Sequence, residues 1–265
     1  MPRTPRKTSS TDMYHVIIRG IDKNFIFQTL PSKWEMLHLL HLYMESNPVE
    51  IYAYCIMDNH MHLLIRAPLK ELSCYMQKVT GGFARYYNYK GNHTGYVFQG
   101  RFKSECIETE SYFWSCFRYI HMNPVKAGLI PSDSFPDYLF SSAAEYMKNS
   151  LSSSHLLHSK AMHMLHSRFD SRQSFLRFHQ KKDLNIFEDT SEEIEAQQLA
   201  CITQLLCTFL SDKGLCSNPS VAAAPMLHSA SLRREFLQLL TEKLQLSGRK
   251  ASQLLKLVET SKGTE

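Results

Sequence analysis

Apolar positions alternate with polar ones in short runs near the start of the chain, then recur at helical spacing. Tyr14-His15-Val16-Ile17-Ile18-Arg19 is β-branched and closed by Gly20, which predicts a first strand. Ser32-Lys33-Trp34-Glu35 opens a helix carried by Met36, Leu37, Leu39, Leu40 and Tyr43, with Pro48 beyond its end. Val49 to Ile56 alternates at period two, Met57-Asp58-Asn59 reads as a turn, and His60 to Arg66 forms the next strand, stopped by Pro68. A second helix runs from Leu69 through Met76 and Val79, with an interruption expected at Gly81-Gly82. An extended segment follows within Val97 to Ile107. Ser111 is the expected N-cap of a third helix ending near Met122, because Pro124 disfavours helical geometry at Asn123.

The order strand, helix, strand, strand, helix, strand, helix predicts an α+β fold: a ferredoxin-like split βαβ antiparallel sheet with helices on one face. After the Ser-rich stretch 150–154, the pattern is all-helical, with stretches near 191–211 and 231–258 separated by Gly214, Pro219 and Pro225. The expected division is a flexible basic arm at 1–11, a sheet domain at 12–149 and a helical C-terminal domain at 150–265. Within the last, the spacing around Leu246-Ser247-Gly248-Arg249-Lys250 fits either a small helical bundle or a helix-turn-helix whose second helix opens with Arg249 and Lys250.

Charge adds a direction. The first 130 residues carry 15 Lys and Arg against 10 Asp and Glu, and the remainder is balanced at 15 of each. The basic excess favours a polyanionic partner for the N-terminal half. No apolar run approaches the roughly 18–20 residues that cross a bilayer. The start, MPRTPRKTSSTD, has no apolar core of a secretory signal. Seven cysteines without a CxxC pair suit reduced thiols and a cytoplasmic location.

The candidate chemistry begins at Asp58-Asn59-His60-Met61-His62. On a strand, residues i and i+2 share a face, so His60 and His62 point together, as two ligands of a metal would. A core-histidine reading competes. The segment Arg118-Tyr119-Ile120-His121-Met122-Asn123-Pro124-Val125-Lys126-Ala127-Gly128 supplies the rest. If the helix persists to Asn123, Tyr119 and Asn123 lie on one face a turn apart. The Asn123 amide oxygen then completes a three-ligand set with His60 and His62, or else caps the helix end. Tyr119 becomes a phenolic nucleophile beside the ion, or else an ordinary buried aromatic. His121 falls on another face.

These residues carry a resemblance. His-Met-His is similar to the His-hydrophobic-His signature of HUH nucleases, and RYIHMNPVKAGL resembles a segment of the IS200-like, REP-associated tyrosine transposases. Gly95 to Ser104 (GYVFQGRFKS) and Phe135 to Ser142 (FPDYLFSS) resemble two further blocks of that family, the second with Leu139 and Phe140 replacing its usual residues. The resemblance spans about residues 12–147. It implies metal-dependent cleavage and transfer of single-stranded DNA beside short hairpins through a 5′-phosphotyrosine at Tyr119. Mg²⁺ or Mn²⁺ would be held by His60, His62 and Asn123. Two nitrogens and an amide oxygen alone would also admit Zn²⁺, Co²⁺ or Ni²⁺. The family's third ligand is often a glutamine; Asn123 is one methylene shorter.

Arg85, Arg101, Lys103, Arg118 and Lys126, with Arg249 and Lys250, are the candidate DNA contacts, and each alone also reads as a solvated charge. Tyr86, Tyr87 and Tyr89 beside Arg85 are candidate base-stacking groups or core residues. The expected partner is hairpin-forming single-stranded DNA, with no membrane, in a monomer or homodimer. Two alternatives remain: an HUH nickase of replication or plasmid transfer, and a noncatalytic protein that binds hairpin DNA.

Overall fold

The computed structural model describes residues 5–148, 156–181, 191–215, 229–244 and 247–261. The Ser150–Ser154 stretch, Pro219 and Pro225 lie outside them. Four strands, β1 (Met13–Arg19), β2 (Glu50–Ile56), β3 (His60–Arg66) and β4 (Lys103–Cys106), form one antiparallel sheet in the order β2-β3-β1-β4. The helices α1 (Leu30–Met44), α2 (Leu69–Gly91) and α3 (Glu110–Lys126) alternate with the strands in the order the apolar pattern predicts. The fold is α+β.

Burial is not confined to one face of the sheet. Val16, Ile18, Met61, Leu63 and Ile65 are as buried as His15, His60, His62 and Leu64 on the opposite face, where α3 lies. A sheet buried on both sides explains why β3 reads as an almost continuous apolar run around its two histidines.

Several local expectations change for identifiable reasons. Thr29 starts α1 by accepting a hydrogen bond from the Ser32 amide. Thr109, not Ser111, caps α3, accepting from the Tyr112 amide at 3.2 Å. Helix α2 runs unbroken through Gly81-Gly82. A Cβ on Gly82 would stand 3.0 Å from Leu39 Cδ2, so this glycine permits close approach of α1 and α2 rather than a break. Helix α3 passes through Pro124 and ends at Lys126 instead, with the chain turning off at Gly128. There the Leu129 amide donates to Pro124 O and the Gly128 amide to Val125 O, both at 2.9 Å, with Gly128 at φ +71°. This is a Schellman ending, which needs a residue that tolerates the left-handed region. Asn123 therefore sits inside the helix, and its side chain is not needed as a cap.

Residues 5–11, expected as a flexible arm, dock beside β4. Thr11 Oγ1 donates to Ile107 O at 2.6 Å, Ser10 bonds Glu108, and the Arg6 guanidinium lies 3.7 Å over the Phe102 ring. At the other sheet edge, Phe140 O accepts from the Ile56 amide, and Ser142 Oγ accepts from the Tyr54 amide. The 135–142 block thus occupies polar groups of β2 that an edge strand would leave open. In the β2–β3 turn, Asp58 forms an ion pair with Lys33 of α1 at 2.5 Å, both side chains largely buried.

Contacts divide the chain into two units: Met1–Asn123 with Asp133–Glu188, and Pro124–Ser132 with Asp189–Glu265. The division does not fall at residue 150. Helices α4 (Ser142–Lys148), α5 (Ser159–Arg168) and α6 (Arg172–His179) belong to the sheet unit, where Leu156, Leu157 and Phe175 are buried. The second unit has its own core, in which α7 (Ser191–Asp212), α8 (Ala230–Leu244) and α9 (Gly248–Ser261) pack through Leu206, Phe209, Phe236, Leu240 and Leu254. Among the described residues no helix is long and apolar enough to cross a membrane.

His121 shows why it stands apart from the candidate chemistry. Its Nδ1 lies 3.0 Å from His179 Nε2 and its Nε2 2.8 Å from Ser142 Oγ, all fully enclosed. Burial holds both imidazoles neutral, His121 well below its usual pKa and His179 at about 3. The unfolded chain takes up these protons near pH 6.5 and the fold does not, so stability is full above that pH and falls as pH drops through it. Urea unfolding should therefore show less stability at pH 5.5 than at pH 7.5, by on the order of 3 kcal/mol for the pair together. An unchanged midpoint would mean that the pair is protonated in the folded state.

Candidate active site

Strand β3 aims both imidazoles of His60 and His62 at the face covered by α3. Their ring centroids are 4.7 Å apart in an edge-on arrangement. Helix α3 brings Asn123 and Tyr119, one turn apart, to the same place. Asn123 Nδ2 lies 3.2 Å from His62 Nε2, and the Tyr119 ring meets the His62 ring edge-on at 5.3 Å. All four side chains are 1–2% exposed.

Three groups the sequence reading passed over set the protonation pattern. Asn59 Oδ1 lies 2.7 Å from His60 Nδ1. Since an amide oxygen only accepts, His60 Nδ1 carries the hydrogen and Nε2 keeps its lone pair. His15 Nε2 lies 3.0 Å from His62 Nδ1, and His15 Nδ1 faces Glu105 Oε2 at 3.7 Å. Asn123 Nδ2 only donates, so His62 Nε2 is the acceptor and its Nδ1–H donates to His15 Nε2. His15 Nδ1–H then points toward the carboxylate. Glu105 is held below the usual carboxylate range, first by His15.

Both imidazoles therefore present a lone pair at Nε2, backed by a hydrogen-bond partner at Nδ1. This is how metal-ligating histidines are commonly oriented. The donor set fits a divalent ion: two neutral imidazole nitrogens and a carboxamide whose oxygen faces His62 once the amide turns. Among the described residues, no cluster of three or more His, Cys, Asp or Glu side chains is placed to hold a metal. Asn123 stands beside His62 as a candidate third protein ligand.

His15 is visible in the sequence as a polar residue on an otherwise apolar strand. Its pairing is not, because the β1–β3 register that sets His15 opposite Leu64 and Ile17 opposite His62 is a tertiary fact.

The candidate DNA contacts scatter. Arg101 and Lys103 are exposed at the β4 edge, and Arg85 is exposed on α2. Arg118 is taken up within the fold, its guanidinium 5.0 Å over the Phe178 ring. Lys126 lines a pocket of about 250 Å³ in the second unit with Gln198 and Lys243. Arg249 and Lys250 stand in the first turn of α9, where Ser247 Oγ accepts from the Lys250 amide. Tyr86 and Tyr87 pack near Phe83, whereas Tyr89 is 87% exposed.

The family described as transposase IS200-like matches this chain over residues 8–123, the stretch that holds the sheet, both imidazoles, Tyr119 and Asn123. Among solved structures, one described as a REP-associated tyrosine transposase bound to a REP hairpin is similar at 20% identity and a TM-score of 0.47. The similarity covers 58% of this chain and 90% of that one. No curated protein matches the chain.

Proposed function

From the match of residues 8–123 to the IS200-like transposase family, we propose that the protein cleaves and rejoins single-stranded DNA beside hairpins through a covalent bond to Tyr119. The observation that carries this reading is the convergence, on one buried face, of a phenol from α3 with two imidazoles whose Nε2 lone pairs are set. A divalent cation, Mg²⁺ or Mn²⁺, held by His60, His62 and Asn123 would supply Lewis-acid polarisation of a phosphate oxygen.

The chain's own part is positional. Helix α3 presents Tyr119 Oη as nucleophile; it gives up its proton and bonds to phosphorus. The P–O3′ bond breaks, leaving a 3′-hydroxyl on one fragment and a 5′-phosphotyrosine on the other. Because one phosphodiester replaces another, the 3′-hydroxyl of a strand can reverse the step and join without ATP. His15 and Glu105 hold His62 in one tautomer, and Asn59 does the same for His60. Tyr119 is buried, so a phosphate reaches it only when that side chain or its cover moves.

The same burial favours a second reading, in which Tyr119 is a core aromatic and the protein binds hairpin DNA without cutting it. A pool of hairpin-flanked single strands, incubated with the protein and Mn²⁺ or Mg²⁺, separates the two. Catalysis predicts protein–DNA adducts that survive denaturation, and sequencing the trapped strands reads out the target. Retention of DNA without any denaturation-resistant adduct would favour binding alone.

A further inference from the structure

The docked arm and β4 border an open groove of about 770 Å³, lined by Arg6, Lys7, Arg101, Phe102, Lys103 and Glu105. Four cationic residues and one carboxylate line it, and that carboxylate is turned toward His15. The neighbouring Glu108 is occupied by Ser10. Arg6 is pinned in the groove: its guanidinium stacks on Phe102 and its Nη2 donates to Phe102 O at 3.1 Å. Burial, and then the like charge of Arg101, lower the Arg6 pKa. A bound anion would offset that like-charge cost.

Position identifies the anion. Ile17 pairs with His62 on one side and with Lys103 on the other. Paired residues share a face, so His62 and Lys103 project the same way across two strand spacings, roughly 10 Å. A strand whose scissile phosphate lies at the imidazoles would carry its next phosphates toward Lys103.

Resting on the functional reading above, we propose that this groove holds the phosphodiester backbone of the single strand running from the scissile bond, with Arg6, Lys7, Arg101 and Lys103 as its contacts. Arg6 and Lys7 thereby make the N-terminal arm part of the DNA site. The contacts are to phosphate, so they fix the path of the strand and carry no base preference.

The test uses the full chain carrying Tyr119→Phe, without metal, so that binding is read apart from cleavage. Fluorescence anisotropy follows an unstructured single strand and a blunt hairpin between about 50 and 200 mM salt. Lys7→Gln with Lys103→Gln removes two exposed charges with no packing role, and Arg101→Gln repeats the test without touching the arm. For the single strand, the double variant should lower the slope of log K against log salt by about 1.4, about 0.7 per phosphate contact. Lys70→Gln with Arg172→Gln, equal in charge and not among the residues lining the groove, should leave the slope at the parent value. A parent that binds single strands with a slope unmoved by the groove variants overturns this inference and leaves the functional reading standing. A change confined to the blunt hairpin assigns the groove to duplex and overturns it too. A parent that binds neither probe overturns both.

Discussion

Replacing Tyr119 by Phe should abolish covalent attachment to DNA, a loss on the order of 10³-fold or more, while the protein stays folded and binds DNA about as well as before. The substitution removes one oxygen and keeps the ring that meets His62 and His15 edge-on. The packing cost of so close a shape match is small, under about 1.5 kcal/mol. A nucleophile has no such substitute: without Oη there is no atom to bond phosphorus, and the 3′-hydroxyl is never released. If Tyr119 is only a buried aromatic, the same variant behaves like the parent. The two readings differ by the whole effect.

His62→Ala should lower metal-stimulated cleavage by at least about 100-fold and weaken Mn²⁺ binding in calorimetry. This side chain is the hub of the site. Its Nε2 meets Asn123, its Nδ1 meets His15, and its ring meets both His60 and Tyr119. His15→Gln acts one contact further out, by loosening the tautomer of His62 rather than removing a ligand. Its expected cost is about 10–100-fold in metal affinity, with Tyr119 untouched. Equal Mn²⁺ affinity in the parent and the His62→Ala protein would remove the imidazole from the metal site.

Much of this was legible along the chain because it depends on local periodicity. The paired direction of His60 and His62 follows from strand geometry, and the shared face of Tyr119 and Asn123 from helix geometry. The helix end was misjudged because Pro124 looked like a stop. Its missing N–H does not end α3, which stops where Gly128 can take the left-handed conformation. Gly81-Gly82 looked like a break and is a packing contact, since a glycine's role depends on what approaches it. What stayed hidden needed register or long-range contact: His15 and Glu105 behind His62, Arg118 stacked on Phe178, and an arm laid against β4.

The most direct test of the central claim is mass-spectrometric mapping of the peptide that carries nucleotide after the protein is incubated with Mn²⁺ and hairpin-flanked single strands, then digested. The account predicts a phosphodiester-linked nucleotide on Tyr119 and on no other residue. A nucleotide mapped to a different side chain, or cleaved DNA with no adduct at any time point, would contradict it.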